Sequence, residues 1–279
     1  MKTGRKIIFW AFRNRPSFIM RGLQISQELS NMGMQAEVRH GVSFFALSDV
    51  KDSIIVCIKS CPVFSPWMKK NRNKIVYDAI DYNPVRGLPG NMDAIVTGTK
   101  HMQEYFESAT KRKILIRTIY HHADDQLKPH HAGEQSLKLV YNGELDQSNF
   151  LRGEIPELNV RSFRGNPNWR EEMLNFNAHF SARMDSTKSV IKLANVARLK
   201  AVFLTGKEPG CVELLGQDYP FFLRDYHDLT KVKEDVLALK DSIGGQTWRN
   251  AHERIQHARL QLTISASAAH YKKLFEELP

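Results

Sequence analysis

The sequence predicts an α/β protein built from two open, largely parallel sheets followed by a helical tail. Three observations predict it. Short β-branched runs recur along the chain and alternate with apolar residues at helical spacing. An aperiodic stretch, Asp125 to Ser136 (DQLKPHHAGEQS), interrupts that rhythm near the middle. The rhythm then restarts, and Gly244-Gly245 later splits two long terminal helices. The 279 residues are 42% apolar and 25% charged, which excludes disordered, collagen-like and integral-membrane classes and leaves room for two small domains.

The first apolar run, Lys6 to Phe12, is broken by Arg13-Asn14-Arg15-Pro16. From Ser17 onward Ile19, Leu23, Ile25, Leu29 and Met32 recur at helical spacing, and Gly33 stands where a left-handed cap takes glycine. Ala36 to Val38 begins another extended stretch. Ser53 to Ile58 (SIIVCI) is the continuous run expected of a parallel strand covered on both faces. Lys74 to Ile80 and Asp93 to Thr97 follow, then a helix through His101, Tyr105 and Phe106, and Lys113 to Ile119 closes the first half. In the second half Leu137 to Tyr141 is a strand ending at Asn142-Gly143, and Val160 to Phe163 is another. Glu171 to Phe176 reads as helix, Ala178 to Phe180 as strand, Ser189 to Leu199 as helix and Ala201 to Thr205 as strand, with a helical turn from Gly210. Asp228 to Ile243 and Thr247 to Glu277 are the terminal helices. The expected domains are 1–126, 137–243 and a terminal segment, 244–279, packing on the first. Ligands of such sheets bind beyond the carboxyl ends of the strands, so the two halves are expected to face a shared cleft.

Forty Lys and Arg against thirty Asp and Glu give a formal net charge of +10. That balance favours phosphorylated metabolites, nucleic acid or an anionic bilayer face. Cys57, Cys61 and Cys211 are too few and too odd in number for a disulfide framework and suit a reducing, cytoplasmic setting. The stretch Ile7 to Phe12 is too short for a signal-peptide core, and nothing approaches the roughly 18 apolar residues of a spanning helix.

The richest stretch is His179 to Glu213. Arg183, Lys188, Lys192 and Arg198 place four cations within sixteen positions, and Lys188, Lys192 and Asn195 have the spacing of one helix face. Such a face near a helix N-terminus attracts phosphate; plain solvation of a basic face is the equal alternative. Glu213 follows a strand in a Gly-Pro turn, where a carboxylate can accept two ribose hydroxyls. His121, His122, Asp124, Asp125, His130 and His131 crowd eleven positions but fit no zinc spacing, so metal is not expected. Asp81, at the end of its strand, is either a capping turn residue or a cleft-facing carboxylate. Arg15 and Arg21 flank the first turn and read as anion contacts or as surface residues.

The order of these segments resembles the GT-B-fold glycosyltransferases, of the family 4-like, surface-glycan type. His179, Arg183, Lys188, Lys192 with Asn195, and Glu213 with Leu214 and Leu215 fall on the donor-half pattern of that family. Ser17 to Gly33, Val76 to Asp81, Asp93 to Phe106, Ile119 to Asp124 and Leu139 to Gly143 are similar to its other segments, in the family's order. The resemblance implies two Rossmann-like domains facing a cleft, with a C-terminal helix crossing back to the first. It implies sugar transfer from a UDP- or GDP-linked donor to a glycan or lipid-linked acceptor, without metal. The tail's Arg249, Arg254, Arg259, Lys272 and Lys273 read first as part of a helix packing back across the first half, with peripheral contact to an anionic inner membrane face as the functional alternative. Arg183, Lys188 and Lys192 would hold the donor phosphates, Glu213, Asn195, Tyr141 and Gly143 the nucleoside, and Asp81 would be the base; Arg15, Arg21, His122 and His179 would line the cleft. Ser189, Val196 and Lys200 depart from the family's proline, alanine and glycine, and Glu208 and Glu213 are five apart rather than seven. Those departures motivate a non-catalytic, GT-B-like scaffold as the alternative, and the positive charge a polyanion-binding protein.

Overall fold

A computed structural model describes residues 4–13, 16–41, 47–60, 65–81, 90–110, 113–130, 133, 135–143, 153–163, 165–182 and 188–278, the side chains of 65–67 excepted. The chain divides into two units: Met1–His122, Thr187–Val190 and Thr263–Pro279 form the first, and Ala123–Ser186 with Ile191–Leu262 form the second. Among the described residues no helix is long and apolar enough to cross a membrane.

The first unit runs β1 (Ile7–Ala11), α1 (Pro16–Phe18), a π-helical segment (Ile19–Gln24), α2 (Ile25–Asn31), β2 (Ala36–His40), β3 (Ile54–Ile58), α3 (Ser65–Lys70), β4 (Lys74–Asp78), β5 (Ala94–Thr97), α4 (Lys100–Ala109) and β6 (Leu115–Thr118). Its six strands are parallel, in the order β2-β1-β3-β4-β5-β6. Alternation along each strand supplies two cores: Ile7, Phe9 and Val56 face one side, Ile8, Trp10 and Ile55 the other. In the second unit β7 (Leu139–Gly143), β8 (Leu158–Ser162), α5 (Trp169–Met173), β9 (Ala178–Ser181), α6 (Ile191–Leu199), β10 (Val202–Thr205), α7 (Pro209–Leu215), α8 (Leu229–Asp241) and α9 (Gln246–Arg259) give a parallel sheet ordered β10-β9-β7-β8.

The expected terminal segment is divided. Helix α9 belongs to the second unit, whereas α10 (Ile264–Glu277) belongs to the first, packs on α2 and adds Ala268, Tyr271, Leu274 and Phe275 to its core. The break between them has a local cause. Thr263 caps α10, its side chain accepting from the Ala266 N–H at 3.1 Å, while the Leu262 carbonyl accepts from the Ala123 N–H at 3.0 Å.

The helix expected from Ser17 also differs in phase. A π-helical turn carries one more residue than an α-turn, so Ile19 and Leu23, two of the apolar residues at helical spacing, are each 37% exposed while Arg21 and Gln24 turn inward. Arg21 therefore lines no opening; it is fully buried. Its Nε donates to Asp78 Oδ2 at 2.9 Å, Nη2 to Asp78 Oδ1 at 3.1 Å, and Nη1 to the carbonyls of Ile119 and Tyr120 at 3.1 Å each. The Tyr271 hydroxyl donates to Asp78 Oδ2 at 2.6 Å, and Ser267 Oγ donates to the Tyr120 carbonyl at 3.0 Å. Burial acts to lower the Arg21 pKa, but Asp78 and Tyr271 outweigh it and raise it. Removing one member of a buried pair leaves the other uncompensated. Asp78→Asn is expected to cost about 3–5 kcal/mol of stability, and Tyr271→Phe about 1–3 kcal/mol. Urea denaturation followed by circular dichroism measures both, and equal, negligible losses would contradict a charged network.

Candidate functional site

In the second unit the parallel register places Ser181 beside Thr205, and His179 beside Phe203 and Val140. Residues two apart on a strand share a face, so His179, Ser181 and Thr205 project together from the carboxyl half of the sheet. All three are buried. His179 Nε2 and Ser181 Oγ have no hydrogen-bond partner among the described residues, and Thr205 lies beside the Cys211 thiol. Burial and the nearby Lys192 charge push the His179 pKa down to about 3, so its imidazole is neutral. Burial and the Glu208 carboxylate push the Cys211 thiol up.

Lys192 lies on α6 with its Nζ 4.2 Å from the centre of the Tyr141 ring. Glu213 lies on α7, and Glu208 is the residue preceding that helix. Lys188 departs from the expected helix face: α6 starts at Ile191, and Lys188 belongs to the first unit. The reason is that Ser189 and Val190 are buried in that unit, where the Ser189 N–H donates to Asp81 Oδ1 at 3.4 Å. Asn195 is committed elsewhere as well, its Oδ1 accepting from the Asp124 N–H at 3.0 Å. Arg198 donates to the carbonyls of Leu127 and Asp125, so it anchors the aperiodic stretch. Gly143 does not open its strand to a ligand on the side of its missing Cβ: an added Cβ would lie 2.5 Å from the Tyr141 hydroxyl. Arg15 and Arg183 lie outside the described residues.

In the first unit Asp81 adopts φ 54°, just beyond β4, and Lys59 adopts φ 63°, just beyond β3. Both are left-handed conformations that non-glycine residues rarely hold. They are joined, with Lys59 Nζ 2.7 Å from Asp81 Oδ2. Burial works to raise the Asp81 pKa, yet Lys59, Lys188 and His121 together hold it below the usual carboxylate range. His121 donates from Nδ1 to the His122 carbonyl at 3.0 Å; burial and the Arg21 charge push its pKa down to about 4. His122 does not line an opening. It is fully buried, and its Nε2 donates to Gln24 Oε1 at 2.9 Å. No group of three or more potential metal ligands occurs among the described residues.

Lys59, Ser181 and Thr205 were not distinguishable as site residues by motif. The available signal was position: Ser181 and Thr205 are the hydroxyl residues that end the runs AHFS and VFLT.

No protein-family model matches the chain, and no curated protein does. Solved structures do match its fold. Anabaena HepE, crystallised with UDP, superimposes with a TM-score of 0.68 over 98% of this chain and 100% of its own, at 11% identity. A glycosyltransferase from Rickettsia africae ESF-5 gives 0.67 over 99% of each chain at 9% identity. T4 phage BGT, in complex with UDP-glucose, gives 0.58 over 98% and 99% at 12% identity. The chain therefore has the GT-B fold, two parallel α/β units of the kind these enzymes share.

The two neutral, buried histidines carry a stability consequence. Unfolded, His179 returns to a pKa near 6.5 and takes up a proton that the folded site refuses. Between about 3 and 6.5 the unfolded chain thus binds more protons, so stability falls as pH falls through that window. His121 acts in the same direction down to about 4. Acidification from about pH 7 to about pH 5 is expected to cost about 2 kcal/mol through His179 alone. Urea titrations at a series of pH values should show that share of the slope vanish in His179→Phe; an unchanged slope would contradict a neutral His179.

Proposed function

We propose that the chain is a nucleotide-sugar-dependent glycosyltransferase of the family 4-like, surface-glycan type, using a UDP- or GDP-linked donor and a carbohydrate or lipid-linked acceptor. The observation that carries this reading is the group of polar atoms of His179 and Ser181 that have no hydrogen-bond partner among the described residues, with the Lys192 charge close by, at the carboxyl half of the second sheet. Buried polar groups are normally satisfied, so such a group at the ligand-binding edge of an open α/β sheet supports a polar ligand. The likeness of fold to HepE and BGT, which were solved with UDP and UDP-glucose, supports a nucleoside diphosphate as that ligand.

In this reading the bond between the sugar C1 and the β-phosphate oxygen breaks, and the acceptor oxygen takes C1 and releases its proton. Negative charge grows on the departing diphosphate, and Arg183, Lys188 and Lys192 would stabilise it electrostatically. Glu213, on α7, would accept the ribose hydroxyls. Asp81 would take the acceptor's proton, a role for which a carboxylate held ionised by Lys59 is prepared. No metal is assigned to the chemistry. A peripheral anionic membrane contact would fall on Lys272 and Lys273 of α10 rather than on Arg254, which is paired with Asp218 through two contacts of 2.6 Å.

Isothermal titration should show saturable binding of UDP or GDP, weakened at least about tenfold in Lys192→Met or Arg183→Ala. No uptake of either nucleotide would overturn the reading, and uptake without turnover of any UDP- or GDP-sugar would favour the scaffold. Asp81→Asn is expected to lower turnover by about 10²–10⁴ while leaving nucleotide affinity unchanged. Unaltered turnover in that variant would remove Asp81 as the base.

A further inference from the structure

The strand order of the second sheet, β10-β9-β7-β8, reverses direction once. From β7 the chain moves outward to β8 on one side, and from β9 it moves outward to β10 on the other. The reversal lies between β7 and β9, and open α/β sheets take their ligands beyond the carboxyl ends of the two strands that flank such a point. Asn142 is the next-to-last residue of β7 and Ser181 the last of β9. Val140 pairs with His179 in parallel register, so Asn142, two residues beyond Val140, projects from the same face as His179 and Ser181. His179 is 4% exposed and Ser181 0%. Asn142 Oδ1, His179 Nε2 and Ser181 Oγ are each buried with no hydrogen-bond partner among the described residues.

We infer that Asn142, His179 and Ser181 form a subsite for the hydroxyl groups of a sugar ring, either the ribose or the transferred sugar of the donor. The inference rests on the reading of the second unit as a nucleotide-sugar site and names the part of the donor that these groups take. None of the three side chains is charged, since burial and the Lys192 charge keep the imidazole neutral. An amide oxygen only accepts, a serine hydroxyl gives and takes, and a neutral imidazole nitrogen does one or the other by tautomer. A phosphate oxygen, which only accepts, leaves the Asn142 oxygen unanswered, and neutral groups offset its desolvation less than cations do. A sugar hydroxyl both gives and takes hydrogen bonds, so neighbouring hydroxyls answer all three atoms.

Two variants, Ser181→Ala and Asn142→Leu, each remove a polar group without adding another. The Ser181 hydroxyl has no hydrogen-bond partner to lose, so the thermal midpoint of ligand-free Ser181→Ala is expected to equal or exceed that of the wild type. Titration calorimetry then compares UDP, GDP, their dideoxyribose analogues, UDP-glucose, UDP-galactose, UDP-N-acetylglucosamine and GDP-mannose. With ribose as the partner, both variants bind the nucleoside diphosphate about three- to tenfold more weakly but its dideoxyribose analogue as the wild type does. With the transferred sugar as the partner, they bind UDP and GDP normally and a nucleotide sugar about three- to tenfold more weakly. Equal weakening of every ligand, the dideoxyribose analogues included, would assign these side chains to phosphate or base and overturn the inference. So would unchanged affinity for all of them, or a midpoint several degrees lower in Ser181→Ala. Failure of the donor reading looks different: the wild type itself would take up no nucleotide, and the subsite would fall with it. Should Asn142→Leu fail to fold, Ser181→Ala, smaller by one oxygen, decides the question alone.

Discussion

The first unit depends on one buried ion pair. Arg21 and Asp78 are both without exposure, and between them they gather a π-helical turn, the end of β4, the carbonyls of Ile119 and Tyr120, and the C-terminal helix through Tyr271. A guanidinium has five N–H groups and tolerates burial only when they are engaged in a fixed geometry. That requirement accounts for the unusual local structure around it. The π-helical turn brings Arg21 inward, and two main-chain carbonyls just past β6 complete its set of acceptors. The pair also has consequences a few residues away. Burial, with the Arg21 charge beside it, keeps His121 neutral, and Asp78 ends the strand from which the chain turns to the left-handed Asp81.

The second unit uses buried polarity in the opposite way. Where the Arg21 network is satisfied, His179 Nε2 and Ser181 Oγ are buried without hydrogen-bond partners among the described residues. Each such group costs free energy, and a fold retains the cost where a ligand offsets it. Other polar side chains of the same unit are engaged in structure. Asn195 and Arg198 hold residues 124–127, and the Asn177 amide donates to the carbonyls of Gly133 and Ser136 at 3.0 and 2.8 Å.

Much of the architecture was legible in the sequence because it rests on one-dimensional signals. Continuous runs such as Ile54–Ile58 mark strands covered on both faces, and Gly33, with φ 82°, ends α2 as a left-handed cap. What was not legible depends on pairings between distant residues. Ile19 and Leu23 recur at helical spacing, yet each is 37% exposed while Arg21, bonded to Asp78 57 positions away, faces inward. The Lys188, Lys192 and Asn195 spacing fitted a helix face, but a bond from Ser189 to Asp81, 108 positions away, lies in the segment that precedes the helix. His122 and Gln24, 98 apart, close on each other for the same kind of reason. Spacing drew attention to Lys192 and strand position to Asp81, whereas the ring beneath Lys192 and the Lys59 partner of Asp81 left no trace in the sequence.

The departures from the donor pattern have physical explanations that bear on whether the site works. Lys200 replaces the family's glycine at φ 56°, just after α6, where the Ala201 N–H still reaches the Val196 carbonyl at 3.2 Å. The lysine therefore adopts the glycine-like conformation and keeps the helix end, at the modest cost of a left-handed side-chain residue. Ser189 replaces proline, and a proline has no N–H to give. In this chain that N–H points to Asp81 Oδ1, adding a donor to a carboxylate already held by Lys59. The Ser189 N–H and Lys59 thus share the Asp81 carboxylate.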